Sequence, residues 1–186
     1  MVCPKCGFWL PLSSFVSLLT GDARPRCAAS SRATEVLLRA YQPGDFDALY
    51  KLDQSCFPRG IAYSKTTLRY FLALGSAECS LAVEKADIAG FILSELEGTL
   101  AHIITLDVAE AHRRSGVGTM LLDAAENSLA TKSVRAVFLE TAVNNHAAVN
   151  FWTRHGYIKE GILKRYYLNR IDGYEMRKAL PVRQKQ

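Results

Sequence analysis

Hydrophobic residues along this chain change their period several times, and each change marks a new element. Ile103, Ile104, Leu106 and Val108 form an apolar, largely β-branched run of strand length. Val117, Leu121, Ala125 and Leu129 then recur every four residues, which lays one stripe along a helix. The same reading gives a first strand at Val36–Arg39, then a turn at Pro43-Gly44-Asp45 with Asp45 as N-cap. The helix that follows buries Phe46, Leu49 and Tyr50. Ser64 caps a second helix with Leu68, Phe71 and Leu72 inward. Cys79–Glu84 and Ala89–Leu96 read as strands joined through Lys85-Ala86-Asp87, and Ala101–Val108 as the central strand. After the long helix, Ala136–Thr141 is a buried strand. Asn145 caps a helix over His146–His155, and Gly156 takes its C′ position. Tyr157–Leu163 and Tyr174–Leu180 form the last pair of strands, with a longer loop through Asn169–Gly173. The order is strand, two helices, three strands, helix, strand, helix, two strands. That is an α/β chain with a mixed sheet flanked by helices.

Composition narrows the picture. The chain has 186 residues, 49% of them hydrophobic, enough for one good core. Residues 1–34 read as a poorly ordered extension, 35–181 as the domain and 182–186 as a tail. The formal charge is +5, but the extension holds four basic residues and one acid, leaving 19 basic and 17 acidic side chains. So even a balance argues against a nucleic-acid partner. No apolar run reaches membrane-spanning length, which argues against a membrane partner. Phe8 to Leu19 is a short apolar segment with one lysine ahead of it and no clear cleavage motif. Five cysteines at scattered spacings suggest a reducing cytoplasm. Cys3-Pro-Lys-Cys6 is half a zinc knuckle, and with only Cys27 nearby it lacks a four-ligand set, so no metal is expected.

Between the central strand and the long helix lies Arg113-Arg114-Ser115-Gly116-Val117-Gly118. Two glycines before an amphipathic helix turn the backbone tightly and leave its first N–H groups uncovered. With the helix dipole and two arginines, they make a seat for a pyrophosphate. The segment has neither the Lys-Ser/Thr of a P-loop nor the third glycine of a dinucleotide fingerprint. This Arg-x-x-Gly-x-Gly, set between strand and helix, resembles the GNAT superfamily of acetyl-CoA-dependent N-acetyltransferases. The order of elements from Val36 to Leu180 is similar too. The resemblance implies a GNAT fold whose central strand and the strand after the long helix splay apart around acetyl-CoA. It implies a pyrophosphate on the amides of Arg114, Ser115, Gly116, Val117, Gly118 and Thr119, with Arg113 beside them. The thioester carbonyl would lie against backbone N–H groups of Leu106 and Val108.

Acetyl transfer needs a held donor, a base for the amine, donors for an oxyanion and a way out for a thiolate. Glu140 ends Phe138-Leu139-Glu140 and opens Leu-Glu-x-x-x-x-Asn, ending at Asn145. This resembles the RimI type, the ribosomal-protein alanine N-acetyltransferases, whose catalytic glutamate occupies this place and works through water. His102 is the rival base. By alternation it shares a face with Ile104, Leu106 and Val108, and related amino-terminal acetyltransferases carry a catalytic tyrosine there. The resemblance also gives Asn145 a bond to the pantetheine arm. It puts Trp152 beside the cofactor, where the family has a tyrosine acid. An indole N–H cannot give up a proton near neutrality. A thiol of pKa about 8.5 leaves tolerably without one, so the expectation is reduced or differently assisted activity.

Phe57-Pro58 followed by Tyr63 resembles the loop that shapes the first-residue pocket of amino-terminal acetyltransferases. Lys164-Arg165-Tyr166-Tyr167 resembles the last hairpin, whose tyrosines bind the peptide backbone. Freeing an α-amine of pKa about 8 at pH 7 costs roughly 1.4 kcal/mol, against roughly 4.6 for a lysine. The function expected is acetylation of a protein N-terminal α-amine in a ternary complex. No cysteine is placed to carry the acyl group. A small amine or a lysine is the first alternative, and a CoA-binding module with little catalysis the second. The sequence leaves the oligomeric state open.

Overall fold

The computed structural model describes residues 35–181. The extension, the tail and the Cys3/Cys6 pair lie outside the described residues. The elements run β1 (Val36–Ala40), α1 (Phe46–Cys56), α2 (Lys65–Ala73), β2 (Ala77–Glu84), β3 (Asp87–Glu97), β4 (Leu100–Val108), α3 (Val117–Thr131), β5 (Ala136–Ala142), α4 (His146–Arg154), β6 (Ile158–Tyr167) and β7 (Ile171–Ala179). The strands form one mixed sheet in the order β1-β2-β3-β4-β5-β7-β6.

Each face of the sheet has its own core. On one, Ile103, Leu106, Val137, Leu139 and Met176 pack with Val117, Leu121, Leu129 and Trp152 from α3 and α4. On the other, Leu81, Phe91, Leu93 and Ile104 pack with Phe46, Leu49, Leu68 and Phe71 from α1 and α2. Gly90 sets how closely α3 lies on β3. A Cβ there would stand 2.7 Å from the Asp107 carbonyl oxygen and 3.1 Å from Leu121.

Two irregularities shape the sheet. Between β3 and β4 the register passes from Leu93↔Thr105 to Ser94↔Ile103, so Ile104 is an extra residue, a β-bulge. Between β4 and β5 the parallel pairing covers only Leu100↔Ala136, Ala101↔Val137 and His102↔Phe138. Beyond that point the strands separate while β4 stays bonded to β3 up to Val108.

Several local expectations need correction. Asp45 does not cap α1 with its side chain. Its carboxylate accepts from the Gln42 amide at 2.8 Å and from Arg39, closing the short 3-10 turn at Pro43–Asp45 instead. The inward stripe of α1 is Phe46, Leu49, Leu52 and Asp53, while Tyr50 is half-buried and stacks on Phe46 at the rim. Leu72 is half-buried as well. The last hairpin is tighter than a loop over Asn169–Gly173. β6 continues to Tyr167, and Leu168 and Asn169 turn the chain at φ 53° and 54°. Residues 171–173 already pair with β6. Gly173 makes this possible, because a Cβ there would press to 3.2 Å on Tyr166 and 3.3 Å on Tyr167.

Candidate active site

The separation of β4 from β5 exposes an edge of β4. The Ala109 amide donates to Ala89 in β3. Strand amides alternate, so those of Asp107 and Thr105 also face β3, and those of Leu106 and Val108 face the gap. These are the two amides expected from the sequence. At the head of the gap the Val108 carbonyl accepts from Arg113 Nε at 3.2 Å, and Cys56 Sγ lies 3.6 Å away. Arg113 is thus turned inward, half-buried, as a brace for the end of β4. The guanidinium left exposed at this turn is that of Arg114.

Below that brace the chain enters α3. Arg114 and Gly116 both adopt positive φ, 65° and 93°. Gly116 is the N-cap residue, with no side-chain cap, and the first turn of α3 has no acid. Ser115 points away, its hydroxyl donating to the His112 carbonyl at 2.6 Å. A Cβ on Gly116 would meet nothing within 4 Å, so it is backbone conformation and open space, not packing, that call for glycine. A Cβ on Gly118 would stand at ordinary contact distance from Phe151 of α4, 3.5 Å, and Val117 is buried. Thr119 and His155 bond across at 3.0 Å, tying the start of α3 to the end of α4. Bare amides, a positive dipole end and Arg114 together suit a bound diphosphate. His155 escaped the sequence reading, because only the packing of α4 on α3 brings it there.

The candidate bases sit on the opposite face of the sheet from α3. Here the sequence expectation for His102 fails in one respect. The bulge at Ile104 inverts the alternation. His102 therefore shares the α1/α2 face with Ile104, while the side chains of Leu106 and Val108 join the α3 core. His102 stacks on Phe138 with centroids 4.6 Å apart, and its Nε2 lies 2.9 Å from Glu140 Oε2. An ionised carboxylate only accepts, so in that state Nε2 carries the proton. The two rival bases are one hydrogen-bonded pair, their side chains only 10% and 9% exposed. The pair sits where β4 and β5 begin to part. Glu175 of β7 lies directly across from Glu140 on the same face, a second carboxylate that only the β5–β7 register reveals.

The expected substrate residues enclose this face. Phe57 is buried, Pro58 exposed, and the Pro58 carbonyl accepts from Ile61 to turn the loop. Tyr63 is buried. Its amide donates to Asp53 Oδ2 at 3.1 Å and its hydroxyl to the carbonyl of the bulged Ile104 at 3.2 Å. Asp53, itself fully buried, therefore anchors the α1–α2 loop. Tyr166 and Tyr167 pack edge to face at 5.0 Å over Gly173. The loop and the hairpin touch, since a Cβ on Gly60 would stand 3.1 Å from Leu168. Asn145 caps α4, its side chain accepting from the Ala148 amide at 3.1 Å. Trp152 is 6% exposed and packs on Tyr157 at 5.2 Å, so the family's tyrosine position belongs here to the core. Burial and the neighbouring Glu126 carboxylate push the Tyr157 phenol well above its usual range, and its hydroxyl is already committed to Glu126 at 3.0 Å. Among the described residues no group of three or more His, Cys, Asp or Glu side chains could hold a metal, and no helix is long and apolar enough to cross a membrane.

Known proteins share this fold. An N-alpha-acetyltransferase of Sulfurisphaera tokodaii is 25% identical over 166 residues, spanning 80% of this chain and 96% of that protein. The crystal structure of the ribosomal-protein-S18-alanine N-acetyltransferase from Escherichia coli has the same fold, with a TM-score of 0.73 at 19% identity. The match covers 81% of this chain and 97% of that one. Arabidopsis thaliana NAA60 in complex with acetyl-CoA gives 0.70 at 18% identity, covering 78% and 99%. The match that decides the matter runs over residues 46–157, from the first residue of α1 to just past α4, and makes this chain a member of the Acetyltransferase (GNAT) family.

Proposed function

We propose that this chain transfers the acetyl group of acetyl-CoA to the α-amine of a protein N-terminus, in the cytoplasm and within a ternary complex. One observation carries the reading. The His102–Glu140 pair and the gap-facing Leu106 and Val108 amides lie along the stretch where β4 parts from β5, and the α1–α2 loop and the last hairpin come close at Gly60 and Leu168. When bound, acetyl-CoA supplies an activated thioester.

The protein's own groups do the rest. The α3 entry, from Arg114 to Thr119, holds the diphosphate on backbone amides. Asn145 has a side-chain amide group left over from its cap for the pantetheine arm. The Leu106 and Val108 amides stabilise the charge that develops on the carbonyl oxygen. Glu140 takes the amine proton through water, and His102 keeps its carboxylate oriented. Of the residues assigned to the amine's approach, Pro58 and Tyr166 keep exposed surface to meet it, while Phe57, Tyr63 and Tyr167 are buried and shape the loop and hairpin that carry them. The S. tokodaii relative is called an N-alpha-acetyltransferase, and that name supports the α-amine over other acceptors. The loop and the hairpin come close together at Gly60 and Leu168, and a narrow entry between them would suit a chain end and suit a lysine on a folded surface less well. The same narrow entry keeps a small free amine as the second reading.

A peptide array with free and blocked amino termini tests the proposal. Acetylation confined to free termini is the expected result. Acetylation of blocked peptides at lysine, or of small amines alone, would refute it.

A further inference from the structure

Thr141 carries an anomaly that the proposed mechanism does not absorb. It is 1% exposed, and its hydroxyl finds no hydrogen-bond partner among the described residues. Buried hydroxyls nearly always have one, and an exception in a working protein calls for an explanation.

Its position is informative. Thr141 shares parity with Val137 and Leu139, so it lies on the α3/α4 face, opposite Tyr174 of β7. It belongs to the stretch of β5 that has left β4. The parallel pairs run with a constant offset, Leu100↔Ala136 to His102↔Phe138, which carried forward sets Thr141 level with Thr105. The extra residue at Ile104 shortens the advance of β4 by one, so Leu106 comes level with Thr141 instead. Thr141 therefore stands across the gap at the level of Leu106, the residue whose amide is assigned to the thioester oxygen, with its orphaned hydroxyl on the α3/α4 side of the sheet. Meanwhile the residue that would assist the departing sulfur, Trp152, is packed in the core and has no acidic proton.

We infer that the Thr141 hydroxyl donates a hydrogen bond to the sulfur as the thiolate leaves. This rests on the acetyl-transfer reading above. The amine lone pair forms the N–C bond, and the C–S bond breaks with its electron pair going to sulfur. The amine proton goes through water to Glu140. Thr141 keeps its own proton and stabilises the thiolate until solvent protonates it. A threonine hydroxyl can do this because hydrogen-bond donation, unlike acid catalysis, needs no accessible pKa.

The test compares wild type, Thr141→Val and Thr141→Ser in the full chain. Valine keeps the shape and removes the hydroxyl; serine keeps the hydroxyl. Calorimetric titration with CoA at pH 9.5, where the free thiol is ionised, should show CoA binding about fivefold or more weaker in Thr141→Val. Desulfo-CoA should bind all three within twofold, and Thr141→Ser should match the wild type with both. In turnover, Thr141→Val should lose about tenfold or more in kcat with the KM for acetyl-CoA within twofold.

Equal CoA affinity in wild type and Thr141→Val overturns the Thr141 role and leaves acetyl transfer standing. So does an equal loss for CoA and desulfo-CoA. A wild-type chain that binds neither ligand overturns the acetyl-transfer reading and this role with it. The melting temperature of Thr141→Val should equal or exceed that of the wild type, because an orphaned hydroxyl stabilises nothing. A clear drop would mean that the hydroxyl is structural, and would overturn the proposal.

Discussion

The two seams of β4 could hardly differ more. Against β3 the strand is paired along its whole length, from Leu100↔Glu97 to Val108↔Gly90, with one bulge absorbed on the way. Against β5 it keeps three pairs and then lets go. The closed seam is stabilised on both faces by apolar side chains, Ile92 and Ile103 on one, Phe91 and Ile104 on the other. The closed seam also buries Ser94, Thr105 and Asp107, but the His102–Glu140 pair and the orphaned Thr141 hydroxyl belong to the open one, with Glu175 one strand further on. Unpaired strand edges are normally a hazard, since bare amides and carbonyls invite another strand. Here the open edge lies inside the sheet, between two halves held to each other by three β4–β5 pairs, and the proposed mechanism puts its bare amides to use. On the proposed mechanism, stability belongs to one side of β4 and reactivity to the other.

Substitutions on the two seams should therefore part cleanly into activity and stability effects. Glu140→Gln acts on the open seam and should give the largest change. It should lower kcat by about 100-fold or more, the usual range for losing a general base, and leave CoA affinity within twofold by titration. If turnover is unchanged, the base is His102. Gly90→Val acts on the closed seam. Its new Cβ would meet the Asp107 backbone at 2.7 Å, with Leu121 and Val117 just beyond. Backbone cannot step aside cheaply, so a loss of about 3 kcal/mol in denaturant unfolding is expected. Tyr63→Phe lies between the two. It removes the bond to the Ile104 carbonyl at the bulge and should cost about 1 kcal/mol. Because that carbonyl sits beside the opening, peptide KM should rise while the KM for acetyl-CoA holds.

The same division explains what the amino-acid sequence could and could not tell. Every helix and strand was legible in order, because periods of two and 3.6 survive in single segments such as Ile103–Val108 and Val117–Leu129. The turn at Gly116 was legible because few residues tolerate φ of 93° before a helix. The face of His102 was not. Alternation assumes an unbroken strand, and the bulge at Ile104 depends on how β3 and β4 twist together. Glu175 was hidden for a related reason: a cross-strand neighbour is fixed by register, which no local pattern encodes. Trp152 shows the opposite case. Its replacement of tyrosine could be read directly, but its place against Tyr157 in the core depends on the packing of α4. Local chemistry was visible, and pairings between distant segments were not.

The smallest expected effect lies farthest from the opening, at the β1 edge, and tests whether the division extends across the sheet. Asp45 accepts from both terminal nitrogens of Arg39, at 2.6 and 2.8 Å, and from the Gln42 amide. The Arg39 bond first, and then the backbone bond, hold its carboxyl below the usual carboxylate range, against a weaker opposing push from burial. A carboxylate whose pKa is lower folded than unfolded stabilises the fold above its unfolded value. That contribution disappears as pH falls through the folded value. Asp45→Asn should accordingly melt below the wild type at pH 7, and the two melting curves should converge in strong acid. Because Arg39 is well exposed, the gap at pH 7 should be small and shrink further in high salt. Turnover should not change at all, since β2 and β3 stand between this pair at β1 and the strand that opens, β4. A Asp45→Asn chain with normal melting but altered kcat would mean that the closed side of the sheet transmits strain to the open one, and the separation of roles across β4 would be wrong.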